Sequence, residues 1–159
     1  MLSKTSGFTF VELIIVMMLI SVLAVGAYLN WPGKTLQLGG QISQIANDIR
    51  YAQSLSMSKD QRYRFVITSS TTYQITNSSG TAIILALGSS TITLGTGITF
   101  GSLTNLPNNL IAFGSDGTPY VDTASPGTAL ASAATIPITA NGETRSVQIS
   151  PQTGRVITQ

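Results

Sequence analysis

The chain has 159 residues, which is enough for about one domain of the usual 100–200 residues. Only 9% of the residues are charged and 43% are hydrophobic, whereas a soluble domain usually carries about 25% charged residues. Ser and Thr, 40 residues together, supply most of the polar surface and favour strands and turns. With neither His nor Cys, the chain lacks the commonest general base, the thiol nucleophile and the usual zinc ligands. The composition therefore argues against an enzyme and predicts no catalytic, cofactor or metal site.

The N-terminal segment is polar at first and then strongly apolar. Residues 1–7 carry one cation, Lys4, and an apolar run follows from Leu13 to Leu29. A helix over residues 8–30 would be about 35 Å long, enough to cross the hydrocarbon core of about 30 Å. We predict a single membrane span here, with the N-terminus in the cytoplasm because Lys4 precedes the run, and the rest translocated.

Glu12 is a carboxylate inside this apolar segment. A charge within a membrane helix costs about 2.5–3.5 kcal/mol even on the most lenient insertion scale. The next cation along the chain is Lys34, beyond the predicted span. The partner of Glu12 must therefore come from water at the interface, a lipid head group or another chain. Cleavage between Gly7 and Phe8 would create a suitable ammonium group on a neighbouring copy.

Residues 7–13, GFTFVEL, resemble the processing site of type IV prepilins and type II secretion pseudopilins. The resemblance implies that a prepilin peptidase cleaves after Gly7 and methylates the new N-terminal Phe8. It also implies that Glu12 sets the helix register during filament assembly. Taken alone, Glu12 has a second interpretation, that of an interfacial residue near the start of a helix.

A second helix is expected after residues 30–33, Asn-Trp-Pro-Gly, which should interrupt the first. Trp31 there is expected either at the membrane–water boundary or as an anchor beneath the head. Apolar residues then recur every three or four positions and predict an amphipathic helix over 36–58. Its buried stripe is expected to comprise Ile42, Ile45, Ile49, Ala52, and Leu55 or Ser56.

Beyond residue 59 the pattern changes to strands separated by turn residues. Asn141-Gly142 predicts a type I′ hairpin turn, and residues 122–134 predict a long loop that is mobile or, alternatively, binds a partner. The fold class is thus α+β, a long N-terminal helix packed on an antiparallel β-rich head. The expected regions are 1–7 (leader), 8–30 (membrane and assembly helix), 31–58 (linker and amphipathic helix) and 59–159 (head). Strands are predicted at 62–67, 72–76, 82–87, 91–94, 98–100, 110–113, 119–121, 135–139, 145–150 and 155–158.

The helix over 42–59 with NDIRYAQ, the segment FGSDG at 113–117 and VQISPQTGRV at 147–156 look like the minor-pilin group of secretion pseudopilin H and FimT. The resemblance implies a pilin-like minor pseudopilin that primes or caps a periplasmic filament of the type II secretion or type IV pilus kind. The expected partners are the prepilin peptidase, other pilins or pseudopilins in a hetero-oligomeric filament, and the bacterial inner membrane. A periplasmic head and a final place at the filament tip are also implied.

Three further patterns carry little chemistry. Ser56-Met-Ser-Lys59 matches the Ser-x-x-Lys pattern of serine acyl-enzymes but lacks the elements that accompany it, so a solvated helix end is favoured. Gly95-Thr-Gly97 is followed by no helix and is interpreted as a turn. The acidic residues of the head are scattered and show no metal-ligand spacing.

The basic residues Arg50, Lys59, Arg62 and Arg64 form a cluster in sequence. Arg62 and Arg64 could contact phosphate or keep a sheet edge soluble, and we favour the second interpretation. Some FimT-type subunits bind DNA through a C-terminal Gly-Arg-x-Arg motif, of which residues 154–157 here keep only the first arginine, Arg155. Arg145 could supply a neighbouring charge across a hairpin. The alternative function is therefore a pilus-tip subunit that binds DNA for uptake through Arg145 and Arg155.

Overall fold

The computed structural model describes residues 9–29, 33–85 and 88–159. The chain divides into two compact units, Met1–Gly33 and Lys34–Gln159. The first unit contains helix α1, Phe10–Leu29. The second contains all the described strands and helix α2, Gly33–Lys59, apart from the first residue of that helix. The predicted leader and the greater part of the predicted break, including Trp31, lie outside the described residues.

Helix α2 buries the stripe that its spacing predicts. Ile45, Ile49 and Ala52 are fully buried and Ile42 nearly so, which confirms the amphipathic interpretation. At the end of the stripe Ser56 is buried, whereas Leu55 is half-buried. Leu38 and Ala46 extend the stripe, and the helix begins three residues before the predicted start.

The head is built from two antiparallel sheets, and in several of their strands buried side chains alternate with less buried ones. The first sheet has the order β3-β2-β1-β5-β6 and the second the order β4-β7-β8-β9. In β7, Ala134, Ile136, Ile138 and Ala140 are buried while the residues between them are not. The strands are β1 Tyr63–Ile67, β2 Thr72–Thr76, β3 Ile92–Thr93, β4 Ile98–Phe100, β5 Leu110–Phe113, β6 Pro119–Tyr120, β7 Ala134–Ala140, β8 Glu143–Ile149 and β9 Val156–Thr158.

The α2 stripe and the inward residues of both sheets form one hydrophobic core. Tyr73, Phe65 and Phe113 are its largest fully buried side chains. The rings of Phe65 and Tyr73 lie 4.8 Å apart between centroids, which is the separation of an offset aromatic pair. The prediction of a helix packed on an antiparallel β-rich head is confirmed.

The turn between β7 and β8 has the backbone conformation that its sequence predicts. Asn141 and Gly142 have φ values of 51° and 80°, and Ala140 pairs with Glu143 across them. Positive φ at both central residues is the requirement of a type I′ turn, and it fixes the register of the longest hairpin in the described head.

The prediction of a strand over 82–87 is wrong for residues 82–85, the part of this segment that the structure describes. Ala82 makes an isolated bridge to Thr76, and Ile84 is 73% exposed. The physical reason is that β3 pairs with the other half of β2, at Thr72 and Tyr73. The chain after residue 81 can therefore pair only with the end of β2 near Thr76.

The expectation that residues 122–134 have little to bury is wrong, whereas the mobility and the partner binding predicted for this segment stay predictions. Leu130 is 3% exposed, and its N–H donates to the carbonyl of Pro119 at 2.8 Å. Asp122 accepts from the N–H of Thr128 at 2.8 Å. Ala134 at its end belongs to β7. The segment is thus attached to the head by its own hydrogen bonds and by a buried side chain.

No helix among the described residues is both long enough and apolar enough to span a membrane.

We expect opposite effects from adding a methyl group at two open glycines. A Cβ added at either Gly142 or Gly40 would meet no neighbour within 4 Å, but only Gly142 has positive φ. Gly142→Ala should lower the free energy of unfolding by about 1–2 kcal/mol, the cost of a left-handed conformation for a residue with a Cβ. Gly40→Ala, inside α2, should raise it by about 0.5–1 kcal/mol. Urea denaturation of the full chain in detergent measures both, and equal effects would contradict this assignment of the turn.

Candidate functional site

The first turn of α1 is fixed by a side-chain cap. The N–H of Glu12 donates to Thr9 Oγ1 at 3.2 Å, and the N–H of Leu13 donates to the Thr9 carbonyl at 3.2 Å. Thr and Glu three residues apart are the sequence signature of a capping box. Sequence reasoning missed this cap, although the Thr-x-x-Glu spacing was available to predict it. The cap places Glu12 in the first helical turn.

Glu12 differs from the other polar side chain described in α1. Ser21 Oγ donates to the Met17 carbonyl at 2.7 Å, so its hydroxyl is satisfied within the helix. Glu12 is exposed, and among the described residues no cation pairs with its carboxylate. The helix dipole favours an acid in the first turn but does not neutralise it. Gly7 and Phe8 lie outside the described residues, so their roles remain predictions.

Apolar side chains cover α1 on all its sides. The large hydrophobic residues between Phe10 and Val25 are 41–76% exposed. A helix that is hydrophobic all round requires an apolar environment, either lipid or other protein segments. Helix α1 therefore requires an apolar environment along its length and, at one position, a partner for the carboxylate of Glu12.

The arginines of the predicted basic cluster contact backbone carbonyls. Arg62 donates to the carbonyl of Ala124 and lies 4.1 Å above the ring of Tyr120. Arg64 donates to the carbonyl of Ser78 at 2.8 Å. Burial, and then the neighbouring Arg62, lower the pKa of Arg64. The expectation that these arginines protect a sheet edge is wrong, because β1 lies between β2 and β5, and their contacts attach loops to the head.

Arg145 and Arg155 are not neighbours across a hairpin, contrary to the expectation from the sequence. Arg155 pairs with Ser150 just beyond the end of β8, whereas Arg145 lies near the beginning of that strand. Five residues of strand separate the two positions by about 17 Å. Arg145 forms an ion pair with Glu143 at 3.3 Å. The structure therefore does not bring the two candidate nucleic-acid contacts together.

Ser56 is unsuited to act as a nucleophile. It is fully buried, its hydroxyl donates to the Ala52 carbonyl at 3.0 Å, and it accepts from the N–H of Tyr63 at 2.9 Å. The serine thus joins the end of α2 to the start of β1. The expectation of a solvated helix end is correct for Lys59 and wrong for Ser56.

Asp48 and Tyr73 form a polar pair between α2 and the first sheet. The Tyr73 hydroxyl donates to Asp48 Oδ2 at 2.6 Å. Burial raises the pKa of Asp48, and the hydrogen bond from Tyr73 opposes that effect only in part. Burial and the contact with Asp48 also raise the pKa of Tyr73 well above its usual range. The pair positions α2 on the sheet, at the cost of a partly desolvated carboxylate.

Two acids of the head accept hydrogen bonds that hold turns. Asp116 accepts from the N–H and the hydroxyl of Thr118, and these bonds lower its pKa. Hydrogen bonds from Thr128 lower the pKa of Asp122 in the same way. Within 9–29, 33–85 and 88–159, no group of three potential metal ligands comes together.

The opposite pKa shifts of Asp48 and Asp116 predict opposite effects of neutralising them. A raised pKa means that the folded state holds the proton more tightly, so this stabilisation is present at low pH and lost as the pH rises through the raised pKa. We expect Asp48→Asn to be more stable relative to wild type at pH 7 than at pH 3, where the wild-type acid is protonated.

Asp116→Asn is the matched control, because a lowered pKa stabilises the folded state only above the unfolded value. It should be less stable relative to wild type at pH 7 than at pH 3. Urea denaturation at the two pH values measures both differences. If the difference in unfolding free energy between Asp48→Asn and wild type is the same at both pH values, the prediction is contradicted.

Comparison with known proteins gives two findings. The family model described as the prokaryotic N-terminal methylation motif matches residues 2–28. The fold is similar to crystal structures of the type IV minor pilin FimU from Pseudomonas aeruginosa strain PAO1. The structure in space group P21 has a TM-score of 0.56 at 18% identity, covering 79% of this chain and 90% of that one. The structure in P65 has a TM-score of 0.53 at 20% identity, covering 77% and 92%.

No curated protein matches the sequence. The chain therefore combines the prokaryotic N-terminal methylation motif with the fold of a type IV minor pilin.

Proposed function

We propose that this protein is a non-enzymatic minor pilin or pseudopilin that primes or caps a periplasmic filament. A prepilin peptidase cleaves it after Gly7 and methylates Phe8. The predicted helix over residues 8–30 first anchors it in the inner membrane and then packs among other pilin helices. The observation that carries the proposal is the exposed carboxylate of Glu12, in the first turn of a helix that is otherwise apolar.

Pairing with a second molecule explains why this acid is present. Helices that meet in lipid gain no hydrophobic driving force, so packing and polar contacts must provide specificity. After cleavage, Phe8 would be the first residue and Glu12 would lie four residues further on. At 1.5 Å per residue, a neighbouring amine reaches Glu12 when the two helices are staggered by about 6 Å. The contact would thus define the axial step between subunits.

Features of the sequence and the comparisons support membrane anchoring followed by a periplasmic head. The predicted span covers residues 8–30, and this segment of the sequence is long and apolar enough to cross a bilayer. Lys4 precedes it, which favours a cytoplasmic N-terminus. The methylation motif over 2–28 and the fold likeness to minor pilins support the same interpretation.

DNA uptake through Arg145 and Arg155 is not adopted as a second function. The two positions are about 17 Å apart along β8, and Arg145 is paired with Glu143. A gel shift of the protein at two salt concentrations separates the two functions. DNA binding that weakens with salt and is lost in variants of both arginines would support the alternative.

Processing is tested by the intact mass of protein extracted from membranes of the native host. We expect the loss of residues 1–7 and the gain of one methyl group on Phe8. Deletion of the prepilin peptidase gene should leave the full-length, unmethylated chain. Native protein that begins at Met1 in the presence of the peptidase, or beyond Gly26, would contradict the proposal.

The role of Glu12 is tested by Glu12→Val. This variant should reach the membrane fraction at wild-type level, because removal of a charge favours insertion, but should be absent from sheared filaments. The matched control is Ser21→Val, which removes a hydroxyl satisfied inside its own helix and should be incorporated normally. Normal incorporation of Glu12→Val would overturn the proposed pairing.

A further inference from the structure

Strand β9 forms one edge of the second sheet and borders an open groove of about 620 Å³. The groove lies between β9 and the C-terminal half of α2. Its lining residues include two arginines and no acid: Arg50, Gln53, Arg155, Val156, Ile157 and Thr158. Both the backbone of the strand and the charge of the groove point to a ligand.

The hydrogen-bond pattern shows which backbone groups of β9 face outward. Gln159 exchanges two bonds with Ser146, at 2.8 and 2.9 Å, and the Arg155 carbonyl accepts from Ser150. In an antiparallel pair, the residues between such bonded positions direct their N–H and C=O groups away from the partner strand. Val156 and Thr158 therefore direct their backbone groups away from β8, and the carbonyl of Val156 accepts from Arg50. Thr158 is exposed, and no described residue accepts from its N–H.

The other sheet edges within 9–29, 33–85 and 88–159 are shorter or occupied. Strand β3 has two residues. Strand β4 is held at its end by the bond from the Phe100 N–H to Ser70. Strand β6 is covered by residues 128–130, which bond to Pro119 and Val121. The β9 edge is thus the one of these four best able to accept another strand.

Side chains of helix α2 bond to this edge and to the turn before it, and one of them is positively charged. Arg50 donates to the carbonyl of Val156 and to Asn47, both at 2.9 Å. Gln53 donates to the carbonyls of Thr153 and Gly117, also at 2.9 Å. The guanidinium of Arg50 is therefore held beside the edge by neutral acceptors, and Arg155 adds an exposed second charge.

We propose that the β9 edge binds an extended, acidic segment of another protein by strand addition. The segment would accept from the N–H of Thr158 and donate to its carbonyl, as in other cases of β-strand addition. Alternate acidic side chains would reach Arg50 and Arg155. This inference goes beyond the proposed filament function and does not depend on it.

The charge also makes a second copy of this chain a poor occupant. Pairing of two β9 edges would bring four guanidinium groups to one interface, two from each copy, without an acid among the lining residues. Like charges across a strand pair are destabilising. Charged edges are also a general means of preventing self-association. The same arginines thus disfavour the identical strand and favour an acidic one.

The probe is a blocked heptapeptide in which glutamate alternates with threonine. Binding is followed by amide hydrogen exchange and chemical shifts in the NMR spectrum of the labelled full chain in detergent micelles. We expect the peptide to slow exchange at the Thr158 amide and to lose affinity as salt rises. A peptide with lysine in place of glutamate, and the glutamate peptide N-methylated at alternate residues, should both fail to protect that amide.

Two variants separate strand addition from general charge attraction. Thr158→Pro removes an outward N–H without removing a bond of the β8–β9 ladder, so it should abolish binding and leave the fold intact. Arg155→Gln should weaken binding several-fold, while the matched control Arg145→Gln, an exposed arginine at the other end of β8, should not. Binding of the glutamate peptide to Thr158→Pro at wild-type affinity, equal binding of the lysine peptide, or no protection of Thr158 would each overturn the proposal.

Discussion

Helix α2 is the element on which the head depends, because its buried stripe forms part of the shared core and its side chains contact both sheets. Its buried stripe packs into the same hydrophobic cluster as the inward residues of β1, β2, β5, β7 and β8. Polar side chains beside that stripe bond to specific points of the sheets. Ser56 holds the start of β1, Asp48 holds Tyr73 of β2, and Arg50 and Gln53 hold β9 and the turn before it. The helix therefore helps to bury the inner faces of both sheets.

These contacts explain how a chain with so few charges specifies one arrangement. With 9% charged residues, ion pairs contribute little, and Arg145–Glu143 is the one found among the described residues. Most of the polar contacts join a side chain to a backbone group. Such a bond contributes about 1 kcal/mol net, but a buried group left without its partner costs more. The network therefore discriminates against wrong arrangements more than it adds to stability.

The two helices meet the same requirement for burial in different ways. Helix α2 has one apolar stripe and finds its cover within the chain, whereas α1 is apolar on all sides and must find cover elsewhere. On our proposal that cover is lipid and then the helices of other subunits. Glu12 then supplies the specificity that apolar packing lacks. The β9 edge would add a second, separate contact through the head.

The sequence determined the elements whose signals are local. Periodicity predicted the α2 stripe, the Asn141-Gly142 pair predicted its turn, and the apolar run with Glu12 predicted α1. The head strands were found nearly to the residue except over 82–87, where competition from β3 for the edge of β2 decided the outcome. The role of Thr9 as the helix cap could have been predicted from its spacing to Glu12.

Contacts between distant residues were decided by the tertiary structure alone. The sequence placed Arg145 and Arg155 ten positions apart, but only the register of β8 against β9 shows that they lie at opposite ends of a strand. Likewise, the order of strands put β1 inside its sheet and made β9 an edge. The physical reason is that periodicity reports which face of an element is buried, whereas strand order and register depend on packing between segments far apart in the chain.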